Sequence, residues 1–265
     1  MYYGENAAGG TGDSMKFNEA ILKASGRGTA DPGIGTLNEK TLHAVLKLYY
    51  EPCEARHEIQ LGRYVADIVS EEGIIEIQTR AFHKLRDKLR YFLSISKSVT
   101  VVYPIAHIKW LCWIDSETGE ISKKRKSPKT GTPYDAFYEL YKIKMFLKEE
   151  SLHIRLPLID LTEYRNLNGW SQDKKKGSSR NERIPEALAD EIFLDTPADY
   201  VKLIPKGLTE PFTVRDFARA AGIRKETAQQ VLHIMHYICA VKRVGKKENQ
   251  YLYETLSPGF FAQNF

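Results

Sequence analysis

The chain has 265 residues, 42% of them hydrophobic and 28% charged, and carries a formal net charge of +5. This composition indicates a globular protein of one large or two modest domains, and no apolar run approaches the roughly 20 residues that span a bilayer. Because the three cysteines form no CxxC pair and the Gly-rich N-terminal segment does not resemble a signal peptide, we expect no disulfide framework, no structural zinc site and a cytoplasmic location.

The first 35 residues are rich in glycine and are expected to be mostly flexible, with a short helix around Phe17 to Lys23. The next 15 residues place apolar side chains at helical spacing after a T-x-x-E capping box formed by Thr36 and Glu39. On this helix Glu39 shares the inward stripe with Leu42. Either Glu39 only completes the capping box, or its carboxylate points toward the sheet.

The segment YVADIVSEEGIIEIQT, which begins at Tyr64, predicts two strands joined by a tight turn. If the turn is centred on its two glutamates, Asp67 faces Glu76, and Gln78 lies on the same face. Opposed side chains have Cβ atoms roughly 4.5–5.5 Å apart, so two carboxylates there repel each other. A divalent cation such as Mg²⁺ would reverse that repulsion. Two scattered acids on a solvated face are the alternative interpretation.

The elements that follow alternate between helix and strand. They are an amphipathic helix over 80–95, an apolar strand over 98–105, a helix over 134–147 and a strand over 152–161. Together with the preceding elements they predict one α/β domain over residues 36–165. Residues 166–204 are polar and are expected to be a basic connecting segment with a short helix near Ile184 to Ile192.

Residues 205–265 are expected to form a separate unit. Thr213 and Asp216 give a helix start signal, Gly222 marks a turn, and a second helix follows. A basic β-hairpin comes next, and the whole pattern resembles a winged helix. Such units place the second helix in the major groove of DNA and let the hairpin touch phosphates. A protein-interaction module is the alternative.

Basic residues cluster in three loops, KKRKSPK from Lys123, KKKGSSR from Lys174 and KRVGKK from Lys242. Solvated surface accounts for any one of them, but three such loops beside a carboxylate site favour a polyanion such as nucleic acid. The residues predicted to contact nucleic acid are Arg80, Lys84, Lys88, Lys123, Lys124, Arg125, Lys126, Arg224, Lys225, Gln229, Lys246 and Lys247.

The order of helix glutamate, strand aspartate and E-x-Q string resembles the PD-(D/E)XK nuclease superfamily over roughly residues 36–104. NEKTLHAVL supplies Glu39, RYVADIV supplies Asp67, and IIEIQT supplies Glu76 and Gln78. The resemblance implies a restriction-endonuclease-like mixed sheet flanked by helices. It also implies that the three acids bind Mg²⁺ or Mn²⁺.

Gln78 departs from the pattern, because the superfamily usually has a lysine at this position. A glutamine is neutral, but it can orient a water through its amide. The resemblance also allows a lysine on the following helix, where Lys84 and Lys88 are candidates. The predicted function is therefore Mg²⁺-dependent DNA cleavage by an endonuclease, with a homodimer left open. The alternatives are a catalytically inactive DNA-binding or assembly protein, and an RNA-directed enzyme.

Overall fold

The computed structural model describes residues 11–26, 41–168 and 179–256. The α-helices of these residues are α1 (Thr11–Ser25), α2 (Thr41–Tyr50), α3 (Arg86–Ile95), α4 (Phe137–Leu140), α5 (Pro197–Val201), α6 (Val214–Ala221) and α7 (Lys225–Tyr237). The strands are β1 (His57–Leu61), β2 (Tyr64–Ser70), β3 (Gly73–Ile77), β4 (Val99–Val102), β5 (Ile105–Asp115), β6 (Arg125–Lys126), β7 (Leu152–Leu167), β8 (Ser179–Leu194), β9 (Val241–Lys247) and β10 (Gln250–Thr255). None of the described helices is long and apolar enough to cross a lipid bilayer.

Strands β1 to β8 form one mixed eight-stranded sheet, and β9 and β10 form a small C-terminal hairpin. Strands β1, β2 and β3 are antiparallel neighbours, and β4 is parallel to β3. The long strand β7 pairs along one edge with antiparallel β8. Its other edge pairs first with β4 and then with β5, both parallel to it, so these two strands lie end to end. The short β6 pairs with β5.

β4 and β5 are two parts of one extended stretch interrupted at Tyr103 and Pro104. The register with β7 is the same on both sides of the interruption, since Val102 lies opposite Arg155 and β5 continues the same offset at its start. Proline cannot donate a ladder hydrogen bond. Strand β3 also ends opposite Val102. The sheet is therefore open on this side just beyond the end of β3.

Helices cover both faces of the sheet. On one face α1 and α2 bury Phe17, Val45 and Leu46. On the other face α3, α4 and the C-terminal helices contribute to a single apolar cluster. Within it the rings of Tyr134 and Phe217 pack edge to face with centroids 5.8 Å apart. Because α6 and α7 pack into this cluster, the C-terminal unit shares its core with the sheet.

Most of the predicted elements are confirmed, including α2, the β2–β3 hairpin, α3, β4, β7 and the C-terminal hairpin. The predicted start of α6 is also confirmed, because Thr213 and Asp216 form a capping box. Gly222 ends α6 with φ of 64°, in the left-handed region that glycine adopts readily. Two helices, α6 and α7, thus follow each other across a tight turn as expected.

The short helix expected around Phe17 to Lys23 is present, but it extends back into residues expected to be flexible. Residues 11–25 form α1, which is held to the sheet by the fully buried Phe17. One prediction about secondary structure is wrong. Residues 179–194, expected to lie in a connecting segment with a short helix, form the strand β8. Its run of helix-forming residues is overridden because β7 supplies hydrogen-bond partners along most of its length. The helix predicted over 134–147 is present only as α4 between two short 3₁₀ helices.

Candidate functional site

Asp67 lies where the β2–β3 ladder ends. The predicted register is confirmed, since Ile68 pairs with Ile75. Beyond this pair, the Asp67 carboxylate takes the place of a backbone acceptor, and its Oδ2 accepts the amide N–H of Ile77 at 2.7 Å. This bond fixes Asp67 between the two strands while its side chain stays 18% exposed. The local fold therefore positions one carboxylate at an accessible gap in the sheet.

Glu76 is buried in β3 on the face covered by α3. Its Oε1 accepts a hydrogen bond from the ammonium of Lys88 on α3. Its Oε2 is buried and has no hydrogen-bond partner among the described residues. Burial and the nearby Asp67 carboxylate raise the pKa of Glu76 to about 7, although Lys88 and the backbone N–H of Asp67 oppose the shift. Since an unsatisfied buried oxygen is costly, Oε2 is a candidate ligand for a cation.

The two lysines expected on the following helix have different surroundings. Lys84 is exposed to solvent. Lys88 is mostly buried and contacts Glu76, so its ammonium belongs to the carboxylate site rather than to a solvated basic face. Gln78 follows the end of β3, and its amide nitrogen donates to the carbonyl of Arg80 at 2.7 Å. This bond holds the glutamine beside the chain segment that leaves the strand.

The structure adds His43 to the site, although this residue was not predicted from the sequence. Its Nε2 lies 3.4 Å from Asp67 Oδ2 and 3.2 Å from the carbonyl oxygen of Ile77. Its spacing in the sequence could have indicated this role, because His43 comes one helical turn after the predicted ligand Glu39. Glu39 itself lies outside the described residues. In the described part of the chain, α2 therefore approaches Asp67 through a histidine.

The donor set fits a hard divalent cation. Mg²⁺ prefers oxygen ligands and is commonly held by one or two carboxylates, with water and substrate phosphate completing its shell. Asp67 and the unsatisfied Oε2 of Glu76 provide two such carboxylates. No group of three or more His, Cys, Asp and Glu side chains that could hold a metal occurs within the described residues. The described part of the chain can thus supply two ligands of an open site.

A cleft of about 460 Å³ lies just beyond the end of β3. The interruption between β4 and β5 contributes Tyr103 and Pro104, and the chain that leaves β3 contributes Arg80. Gly131 closes another side, where a Cβ would lie only 2.2 Å from the carbonyl oxygen of Ala106. Only glycine lets this loop pack so closely against β5. The charged residues that line the cleft are Arg80, Lys109, Lys129, Asp135, Arg180 and Arg183.

The buried carboxylate of Glu163 organises the cations of this cleft. Glu163 is fully buried in β7, directly opposite Arg183 of β8, whose Nε lies 3.0 Å from Glu163 Oε2. Arg165, Arg180 and Lys109 also lie within ion-pair distance of this carboxylate. Burial alone would raise the pKa of Glu163, but the surrounding cations lower it to about 2. Glu163 is therefore ionised at any ordinary pH.

The other residues predicted to contact nucleic acid are mostly on the surface. Lys124 pairs with Glu186, and its ammonium lies 4.5 Å from the centroid of the Trp110 ring. In the C-terminal unit, the first turns of α7 and the tip of the hairpin are exposed. Besides Arg80 and Lys84, the exposed members of the predicted set are Lys123, Lys124, Arg125, Lys126, Arg224, Lys225, Gln229, Lys246 and Lys247.

The family match covers the whole sheet, including the carboxylate site and the cations around Glu163. Residues 40–195 match the model of a family described as a domain of unknown function, DUF8091. The chain belongs to this family. The DUF8091 domain includes Asp67, Glu76 and Glu163, and it ends just after β8, whereas α6, α7 and the C-terminal hairpin lie outside it.

A relative of the chain is an uncharacterized protein of Treponema pallidum (strain Nichols). It is 30% identical over 194 residues, which cover 70% of this chain and 74% of that protein. No solved structure matches the chain. The comparisons therefore group this DUF8091 protein with a relative and give no activity for either.

Proposed function

We propose that this protein is a DNA endonuclease that depends on Mg²⁺ or Mn²⁺, with a fold that resembles the PD-(D/E)XK nucleases and a C-terminal winged helix. The observation that carries the proposal is the pair Asp67 and Glu76 at the end of the β2–β3 ladder, with Lys88 against Glu76. A strand aspartate, a strand glutamate and a lysine on the next helix form a set that the resemblance allows when Gln78 replaces the usual lysine.

The chemistry follows from these groups. A divalent ion, when bound, lowers the pKa of a water and acts as a Lewis acid on the phosphate. Asp67 and the buried Oε2 of Glu76 would hold that ion, with Glu39 as a third predicted ligand. Lys88 orients Glu76 and keeps a positive charge beside it. Gln78, held at the end of β3, would orient the attacking water through its amide.

The C-terminal unit would add affinity for DNA. Arg224, Lys225 and Gln229 are exposed in the first turns of α7, the part of a recognition helix that contacts bases in helix-turn-helix proteins. Farther along α7, His233 packs on the ring of Tyr141 with centroids 5.2 Å apart. The start of α7 is therefore the part that we propose enters a DNA groove. The exposed lysines of the hairpin would contact phosphates.

A second candidate function is DNA binding or assembly without catalysis. The observation that favours it is the contact between Lys88 and Glu76, which neutralises the buried carboxylate without any metal. In that case the ion pair would only fasten α3 to β3. A cleavage assay separates the two functions, because only the first one requires the acids to act on a phosphodiester.

The test is cleavage of supercoiled and linear DNA in the presence of Mg²⁺, Mn²⁺ or a chelator. We expect Asp67→Asn and Glu76→Gln to abolish cleavage while DNA binding persists. Glu72→Gln is the matched control, because Glu72 is an exposed acid in the turn of the same hairpin. Cleavage by both site variants at the wild-type rate would show that the site is assigned wrongly. DNA binding by a wild-type protein that never cleaves would favour the second candidate.

A further inference from the structure

We propose that the basic cleft beyond the end of β3 binds a terminal phosphate monoester. The proposal stands on the geometry and charge of the cleft. It rests on the proposed function only where it names the end of a nucleic-acid strand as the source of the phosphate. The carboxylate pair would then act on the phosphodiester, and the cleft would bind the strand end.

The lining of the cleft carries an excess of positive charge. Five cationic side chains line the cleft, against the single carboxylate of Asp135 among the described residues. That carboxylate is already engaged, because its Oδ1 pairs with Lys129 at 2.8 Å and its Oδ2 accepts the amide of Thr132 at 3.1 Å. An internal phosphodiester carries one negative charge, whereas a phosphate monoester carries about −1.5 to −2 near neutral pH. The excess of cations matches the monoester better.

Two arginines of the cleft are held in place before any ligand binds. Arg180 and Arg183 both point their guanidinium groups at the buried Glu163, and Arg183 is only 18% exposed. A planar guanidinium binds phosphate oxygens in pairs, and holding it in place beforehand reduces the entropy lost on binding. Glu163 is therefore a positioning residue that braces the arginines behind the cleft. Arg80 also lines the cleft, and its exposed side chain is free to contact the ligand.

Like charges are crowded behind the cleft, where four cations lie within ion-pair distance of the one carboxylate of Glu163. Burial lowers the pKa of Arg180, and repulsion from Arg183, Arg165 and Arg80 lowers it further, although Glu163 opposes the shift. Burial also lowers the pKa of Lys109, and Glu163 opposes that shift as well. The cations therefore outnumber the carboxylate that faces them. A ligand with two negative charges would reduce the repulsion among these cations.

The cleft lies at a place in the sheet where ligands commonly bind. Ligands of α/β sheets are usually found beyond the carboxyl ends of parallel strands. β3 and β4 are parallel and end together at Ile77 and Val102, and the cleft lies just beyond them. Arg80, which lines the cleft, follows Glu76 by only four residues, so the segment that leaves β3 connects the carboxylate site to the cleft.

The experiment measures binding of a short single-stranded DNA to the full-length protein in the presence of a chelator, by fluorescence anisotropy. The same oligonucleotide is compared with a 5′-phosphate, with a 3′-phosphate and with no terminal phosphate. We expect one phosphorylated form to bind about tenfold or more tightly than the form without phosphate, because a hydrogen bond between charged groups commonly contributes that much. Arg80→Gln should abolish the preference.

Arg183→Gln is the second variant, but it leaves Glu163 with one cation fewer and can lower stability. Arg80→Gln tests the proposal even if Arg183→Gln fails to fold, because Arg80 is exposed and does not contribute to the core. Arg63→Gln is the matched control, since Arg63 is an exposed arginine in the turn between β1 and β2. Equal affinity for all three oligonucleotides, or a preference that survives Arg80→Gln, would overturn the proposal.

Two further arms identify the source of the phosphate and separate this proposal from the proposed function. A mononucleotide or inorganic phosphate that displaces the phosphorylated oligonucleotide at similar concentrations would assign the cleft to a free phosphate ligand. Weak competition by both would assign it to a strand end. Glu76→Gln should keep the preference for a terminal phosphate even if no cleavage is ever observed. A failed nuclease assay therefore leaves this binding result intact.

Discussion

Replacing Glu163 by glutamine tests how strongly one buried carboxylate holds the basic cleft together. The variant keeps the size of the side chain but removes the negative charge that faces Arg183, Arg180, Arg165 and Lys109. The surrounding cations would then repel one another without a counter-charge. We expect a large loss of stability at neutral pH, because removing one partner of a buried ion cluster leaves the other charges uncompensated.

The magnitude follows from the pKa of Glu163, which is lowered from 4.5 to about 2. Each pKa unit corresponds to about 1.4 kcal/mol, so the ionised carboxylate contributes roughly 3 kcal/mol to the free energy of unfolding at pH 7. A depressed folded-state pKa gives stability that is complete above the unfolded pKa and is lost as the pH falls toward 2. Between pH 7 and pH 3 the contribution should shrink by roughly 2 kcal/mol.

The assay is urea unfolding of wild type and Glu163→Gln at pH 7, 5 and 3. The control is Glu117→Gln, which removes an exposed acid and should change stability by less than about 0.5 kcal/mol. The difference between wild type and Glu163→Gln should be largest at pH 7 and should narrow as the pH is lowered. Equal stability at pH 7, or a difference that does not depend on pH, would refute the assigned role of Glu163.

Three further predictions concern the proposed metal and DNA sites. At about 100 times its dissociation constant, Mg²⁺ should raise the free energy of unfolding of the wild type by about 2.7 kcal/mol and should not change that of Glu76→Gln. An equal increase in both proteins, measured by thermal unfolding, would argue against Glu76 as a ligand. Lys88→Met should raise the pKa of Glu76 further and should slow cleavage at saturating metal, and full activity of this variant would mean that Lys88 only fastens α3 to β3. The double substitution of Lys246 and Lys247 by glutamine should reduce the salt slope of DNA affinity by roughly 2 if both contact phosphates, and an unchanged slope would favour the protein-interaction role.

The register of the β2–β3 hairpin could be predicted from the sequence. It depends only on the period of a strand and on the position of a tight turn. The observed pairing of Ile68 with Ile75 is the register that this argument gives. The inward stripe of α3 is likewise set by helical periodicity, and Leu89 and Phe92 are fully buried as expected. Local geometry was therefore sufficient to predict the hairpin register and the buried face of α3.

The cleft could not be predicted, because it depends on contacts between distant parts of the chain. Lys109, Glu163 and Arg183 belong to three different strands and meet only because β7 lies between β5 and β8. Strand β8 was itself missed, so its arginines were placed in a connecting segment. Its charged and helix-forming residues do not show the alternation typical of a strand. It is a strand because it pairs with β7 along most of its length.

The shared core also limits how the two proposed activities can be separated. A cut near Lys202 would remove α6 and α7 and expose the face of α4 on which α7 packs. Phe217 would no longer cover Tyr134, whose ring now contacts it at 5.8 Å. Losing a buried phenylalanine alone commonly costs about 3–5 kcal/mol, which is a large part of the total stability of a domain. Exposed side chains such as Lys246 and Arg80 can instead be changed while the core stays intact, so point variants are the means of assigning DNA binding to one surface or the other.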